Sequence, residues 1–205
     1  MSWTATSTKS GTASEYRPKL GSRGGMKLAT GTDIKQKLAS LVRSEERGYA
    51  GDSDDERPLA GYLGTMTVYG AIVATIAAAA GATGRPVPDG LDPRQVALSA
   101  AAIHKLSRLL AKDPVTSPLR APFTRYQGTS GPAEVAEEVR GTGAQKAVGE
   151  LISCPFCLGV WVATGFAAGL IFLPRTTRVA IGSLAALAGA DLLQYLYAWA
   201  QQQTS

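Results

Sequence analysis

Charged residues are spread unevenly along this chain, and the gaps between them predict its architecture. Residues 58–84 carry no charge and neither do residues 151–174, while from 179 to 205 the sole charge is Asp191. About 20 consecutive apolar residues suffice to cross the hydrocarbon core of a bilayer. A helix in a soluble core would interrupt such runs with a polar stripe at helical spacing, and these runs have none. The pattern predicts an all-α, polytopic integral membrane protein with about four transmembrane helices. The expected spans lie near residues 59–82, 93–111, 153–173 and 178–198, with a cytoplasmic loop at 112–152. Before them, residues 1–57 are polar and rich in Ser, Thr and Gly, too poor in apolar surface to offset their ordering entropy, so a disordered tail is expected. Within that tail, Asp33 and Gln36 fit a capping box and Ile34, Leu38, Leu41 and Val42 share a face, which predicts an amphipathic helix over 33–47.

The segment 93–111 is the ambiguous one. Asp92 suits a helix cap and Pro93 a first helical position. Val96, Ala100, Ile103, Leu106 and Leu110 form an apolar stripe, but His104, Arg108 and Lys112 line another face. It either spans the membrane with its charged end snorkelling or lies in the interface. Basic residues arbitrate. Four spans put ten Lys or Arg of the tail and seven from Lys105 to Lys146 on one side, leaving Arg85, Arg94, Arg175 and Arg178 on the other. The positive-inside bias then favours four spans with both termini cytoplasmic. Met1–Thr30 has no apolar core of the kind a cleavable signal peptide requires, and none is expected.

Prolines at 114, 118 and 122 predict an extended Asp113–Tyr126, and Pro132 to Arg140, with Glu134, Glu137 and Glu138, reads as a short helix closed by Gly141. Arg120, Arg125, Arg140 and Lys146 read as solvated loop charges that enforce orientation. Gly165 and Gly169 have the spacing of a close helix contact, and Pro174–Thr177 reads as a tight outer turn. The composition, 45% hydrophobic and 18% charged with a net charge of +5, changes little. Its basic residues alternate with acids and lack interleaved aromatics, so nucleic acid is not an expected partner.

Two places could carry chemistry. Cys154-Pro155-Phe156-Cys157 opens the third expected span. Proline at the first helical position puts Cys154 at the cap, where N–H groups and the helix dipole favour a thiolate. The pair is therefore a candidate redox dithiol, or half of a zinc site that His104 or Asp191 would help complete. The third reading is structural, two small apolar residues at a helix start, and it is preferred. Asp191 is the other place, because a carboxylate inside a span must face protein or a water-filled cavity. Gln194 shares its face. Helix lengths put His104, Asp191 and the cysteines at similar depth, so Asp191 is expected to pair with His104, Lys105 or Arg108.

The run Ser107–Phe123 (SRLLAKDPVTSPLRAPF), followed by Gly149–Trp161 (GELISCPFCLGVW), resembles a family of small bacterial membrane proteins known as domain of unknown function 1360. The resemblance covers about Val96 to Tyr197. It implies a multi-span inner-membrane protein, assigns no activity, and marks Arg108, Asp113, Arg120, Pro122, Cys154, Pro155, Cys157 and Trp161 as motif positions. The resulting expectation is a structural or interaction protein of the bacterial cell membrane rather than an enzyme. Its partners are the lipid bilayer and a second copy or another membrane protein, and no cofactor is expected. The alternative is a membrane-embedded thiol protein, redox-active or zinc-binding, built on Cys154 and Cys157.

Overall fold

The computed structural model describes residues 31–50, 57–87, 90 and 92–203. What the tail composition predicts for residues 1–30 and 51–56 lies outside the described residues. Helix α1 runs Gly31–Ala50 and leaves Ile34, Leu38 and Leu41 exposed along one face. It begins two residues before the expected cap, so Asp33 sits inside the first turn, where a carboxylate complements the helix dipole.

Helix α2, Leu59–Ala82, occupies the first uncharged run and ends at Thr83 and Gly84, whose φ of 61° suits glycine. Helix α3, Pro93–Lys112, is capped by Asp92, whose carboxylate accepts the Arg94 N–H at 3.1 Å. A 3₁₀ turn (Pro114–Thr116) and the single turn α4 (Ser117–Arg120) follow. Strands β1 (Thr124–Gly131) and β2 (Glu134–Val139) then form an antiparallel hairpin. Helix α5 is Gly143–Ser153, α6 is Pro155–Phe172 and α7 is Pro174–Gln203.

Three of the described helices, α2, α6 and α7, are long and apolar enough to cross a membrane. At 1.5 Å per residue their 24, 18 and 30 residues measure about 36, 27 and 45 Å, against roughly 30 Å of hydrocarbon. Only 6% of each apolar window is buried. On length and composition, three of the four expected spans thus qualify. Arg94, Lys105, Arg108 and Lys112 remove α3 from the set.

Side-chain contacts fix the directions of these helices. Tyr62, near the start of α2, donates to Glu150 in α5, Tyr69 meets the Trp161 ring edge-on at 5.3 Å, and Arg85, just past the end of α2, reaches the carbonyl of Phe172 at 3.2 Å. Helices α2 and α6 therefore run parallel. Helix α3 runs the opposite way. Its first residues share a cavity with Leu170 and Arg178, its middle packs Ile103 near Gly159, and its last residue, Lys112, exerts its charge on Cys154.

Several local expectations are overturned. The fold is mostly helical rather than all-α, because residues 124–139 form the hairpin. The predicted helix over 132–140 is a two-residue turn, Pro132-Ala133, followed by β2. Val135, Glu137 and Val139 alternate onto one face, and burial of that face outweighs the helical preference of the glutamates. The predicted extended segment 113–126 winds into short helical turns over Pro114–Arg120, because Pro114 and Pro118 fall at first-turn positions where a missing N–H costs nothing. It is extended as expected from Thr124, where β1 begins. The loop 112–152 is therefore structured throughout. Residues 174–177 are the first turn of α7, with Leu173 alone breaking it from α6. Of the spaced glycines, Gly169 packs against Thr177 while a side-chain carbon at Gly165 would meet nothing within 4 Å.

The tightest packing lies at the α5 end of the bundle. A Cβ on Gly61 would sit 2.7 Å from that of Ala147, and one on Gly149 would sit 2.6 Å from Val139 and 3.0 Å from the Phe123 carbonyl. These two glycines let α2 and the hairpin close onto α5.

Candidate functional site

Two polar clusters flank the C-terminal half of α3. The first is closed. Arg120 is 1% exposed, although it follows two prolines in a segment with no apolar periodicity. Its Nε and Nη2 hold Glu137 at 2.7 and 3.0 Å. Nη1 donates to the Leu110 carbonyl at 2.7 Å and to Thr116 at 2.6 Å, and Nη2 donates to the Asp113 carbonyl at 3.0 Å. The guanidinium thus satisfies carbonyls at the C-terminus of α3, where a cation is favoured, and fastens that end to β2. Burial by itself would raise the Glu137 carboxyl. The Arg120 guanidinium, with the Thr124 and Ser117 hydroxyls, outweighs it and holds the group below the usual carboxylate range. Arg120 is therefore corrected from a solvated loop charge to the largest fully buried side chain described.

The second cluster is open. A cleft of about 490 Å³ lies between α3 and α7, with the hairpin turn Pro132–Glu134 as its lip. Asp191, Gln194, Tyr195 and Ala198 face it from α7 at helical spacing, and His104, Lys105 and Arg108 face it from α3. The structure brings together all five residues of the expected polar cluster. Lys105 Nζ lies 2.6 Å from Asp191 Oδ2, and Arg108 grips Glu134, its Nε at 3.0 Å from Oε1. Sequence reasoning missed Glu134, having placed it on a helix. The signal was the turn pair Pro132-Ala133 ahead of a Val-x-Glu-x-Val alternation, which places Glu134 at the first position of a returning strand. Ala133 adopts φ 57°, the one positive φ among described residues other than glycine, and it lines the cleft.

The cysteines lie elsewhere, at the junction of α5 and α6. Both are free, and Cys154 caps α6 by accepting the Cys157 N–H at 3.4 Å. Burial pushes the Cys154 thiol up, but hydrogen bonds from Cys157, the N–H groups of Cys157 and Phe156, and the Lys112 charge pull it below its ordinary value. Among the described residues no group of three or more His, Cys, Asp or Glu gathers to hold a metal, and His104 belongs to the cleft.

The other motif positions have local duties. Asp113 caps the 3₁₀ turn by accepting the Val115 N–H at 2.8 Å. The Pro122 carbonyl accepts from Arg140 at 3.0 Å and from Gln145 at 2.9 Å, and Pro155 opens α6. Trp161 packs on Tyr69, whose hydroxyl lies 3.0 Å from that of Thr164.

Three bilayer-length apolar helices joined to a small polar layer with an open, doubly ion-paired cleft define a helical protein suited to membrane association. The chain belongs to the family described as protein of unknown function (DUF1360), which matches residues 98–197, from early α3 to the last third of α7. It is 31% identical over 111 residues to the sporulation protein YjcA of Bacillus subtilis (strain 168), an alignment that takes in 52% of this chain and 94% of that one. No solved structure matches it.

Proposed function

We propose that this is a multi-pass protein of the bacterial cell membrane, with four spans and both termini cytoplasmic, whose role is structural or interactive. The observation that carries the topology is the parallel course of α2 and α6. A chain that crosses twice in one direction must cross back between, and α3 traverses the length of α6 in the opposite sense. Its charges do not forbid this. The small residues Ala102, Ser107 and Ala111 pack inward, Arg94 stands at one end, and Lys105 and Arg108 are ion-paired. The apolar faces of α2, α6 and α7, almost wholly unburied within the chain, take lipid as their partner.

The structural role is supported by the ion pairs, each of which ties two elements: α3 to α7, α3 to the hairpin, and α4 to β2. A second copy or another membrane protein is the expected macromolecular partner, and the relative's name makes spore formation the process in which to seek a loss phenotype. Topology is tested with a membrane-impermeant maleimide. Labelling of Cys154 and Cys157 in inside-out vesicles but not in intact cells is expected, and labelling from outside would remove the four-span topology.

A further inference from the structure

We propose that the cleft between α3 and α7 binds the head group of a zwitterionic phospholipid, an ammonium joined to a phosphate diester. Its volume of about 490 Å³ suits a small ligand, for which sites span roughly 300–1,000 Å³. The two ion pairs are unequally shielded, and in opposite senses. In one the carboxylate is the open partner, Asp191 at 40% exposed against Lys105 at 24%. In the other the cation is, Arg108 at 43% against Glu134 at 22%. The cleft thus offers a guanidinium and a carboxylate side by side, each held in place by a more buried counter-charge. A guanidinium suits phosphate oxygens, and a carboxylate suits an ammonium.

The balance of charge excludes a simple anion. Three carboxylates, Asp113, Glu134 and Asp191, line the cleft against two cations, so a ligand with phosphate alone meets net repulsion. Leu109 of α3 and Ala188 and Leu192 of α7 add an apolar lining, which continues from Leu192 to Leu196, exposed one turn further along α7. That continuation selects an amphiphile over a soluble zwitterion, since acyl chains can lie along it. This proposal rests on the membrane reading above.

The test uses the full chain purified in mild detergent and native mass spectrometry with equal amounts of dioleoyl phosphatidylethanolamine and phosphatidylglycerol. Retention of the ethanolamine lipid is expected to exceed that of the glycerol lipid about tenfold, a difference of roughly 1.4 kcal/mol. Ala188→Trp fills the cleft from its apolar lining while keeping all four ion-pair side chains, and should erase the preference. The double replacement Lys105→Leu with Asp191→Leu removes the ammonium partner, leaves no orphaned charge, and should erase it too. Equal retention of the two lipids, or a preference that survives in whichever variant folds, overturns the proposal. Displacement of the lipid by millimolar free O-phosphoethanolamine would assign the site to a soluble zwitterion and overturn the lipid. Failure of the membrane reading shows separately, as protein released from membranes by alkaline carbonate.

Discussion

The two polar clusters on α3 use the same chemistry to different ends. In the closed one, Arg120 and Glu137 are 1% and 6% exposed, and nearly every donor of the guanidinium has an acceptor. In the open one, Lys105–Asp191 and Arg108–Glu134 keep about a quarter to two-fifths of their side-chain surface free. A buried pair is destabilising to break and silent otherwise, because no ligand can reach it. An exposed pair contributes little stability, having traded burial for access. The contrast separates the residue that holds the fold from the residues that face a ligand, though all are charged.

The largest expected effect breaks the closed cluster. Arg120→Ala leaves Glu137 buried and uncompensated and should cost about 3–5 kcal/mol, read as loss of the folded species in thermal melts in detergent. Asp191→Asn in the open cluster should cost about 1 kcal/mol or less by the same melts, given its exposure. Equal losses for the two would remove the distinction. Between these lies the packing of the glycines. Gly149→Val drives its side chain into Val139 and should cost about 1–3 kcal/mol, with Gly165→Val as the near-neutral control.

Acid sharpens the comparison further. The folded-state pKa of Glu137 is depressed, so its stabilisation is fully present above the ordinary carboxylate range. It is lost as pH falls through the folded value. Melting temperature should therefore drop on acidification, and Glu137→Gln should flatten that part of the profile at the expense of stability at neutral pH. The smallest effect concerns the α6 cap. Cys154→Ser keeps a capping oxygen and should alter stability by no more than about 0.5 kcal/mol. It should also remove the thiol that alkylates at the lower pH, because the lowered pKa belongs to Cys154.

Much of this was legible in the residues. The uncharged runs named α2, α6 and most of α7, since roughly 20 apolar residues in a row leave a helix few alternatives, and Asp92-Pro93 and Cys154-Pro155 marked two helix starts through local cap chemistry. Helical spacing put Asp191 and Gln194 on one face, and length arithmetic brought Lys105 within reach. What the sequence alone did not decide was every feature resting on contacts between distant segments. Glu134–Val139 became a strand because β1 supplied a partner and α5 a surface for Val139, with Val135 buried beside them, against local preference. Arg120 became buried because the carbonyls ending α3 and a carboxylate on β2 converge on it. Whether Lys105 or His104 takes Asp191 depends on how α3 is rotated against α7. Apolar length and cap chemistry are local properties that a chain carries wherever it folds. The partner of a charge and the pairing of a strand are settled by which surfaces the fold brings together.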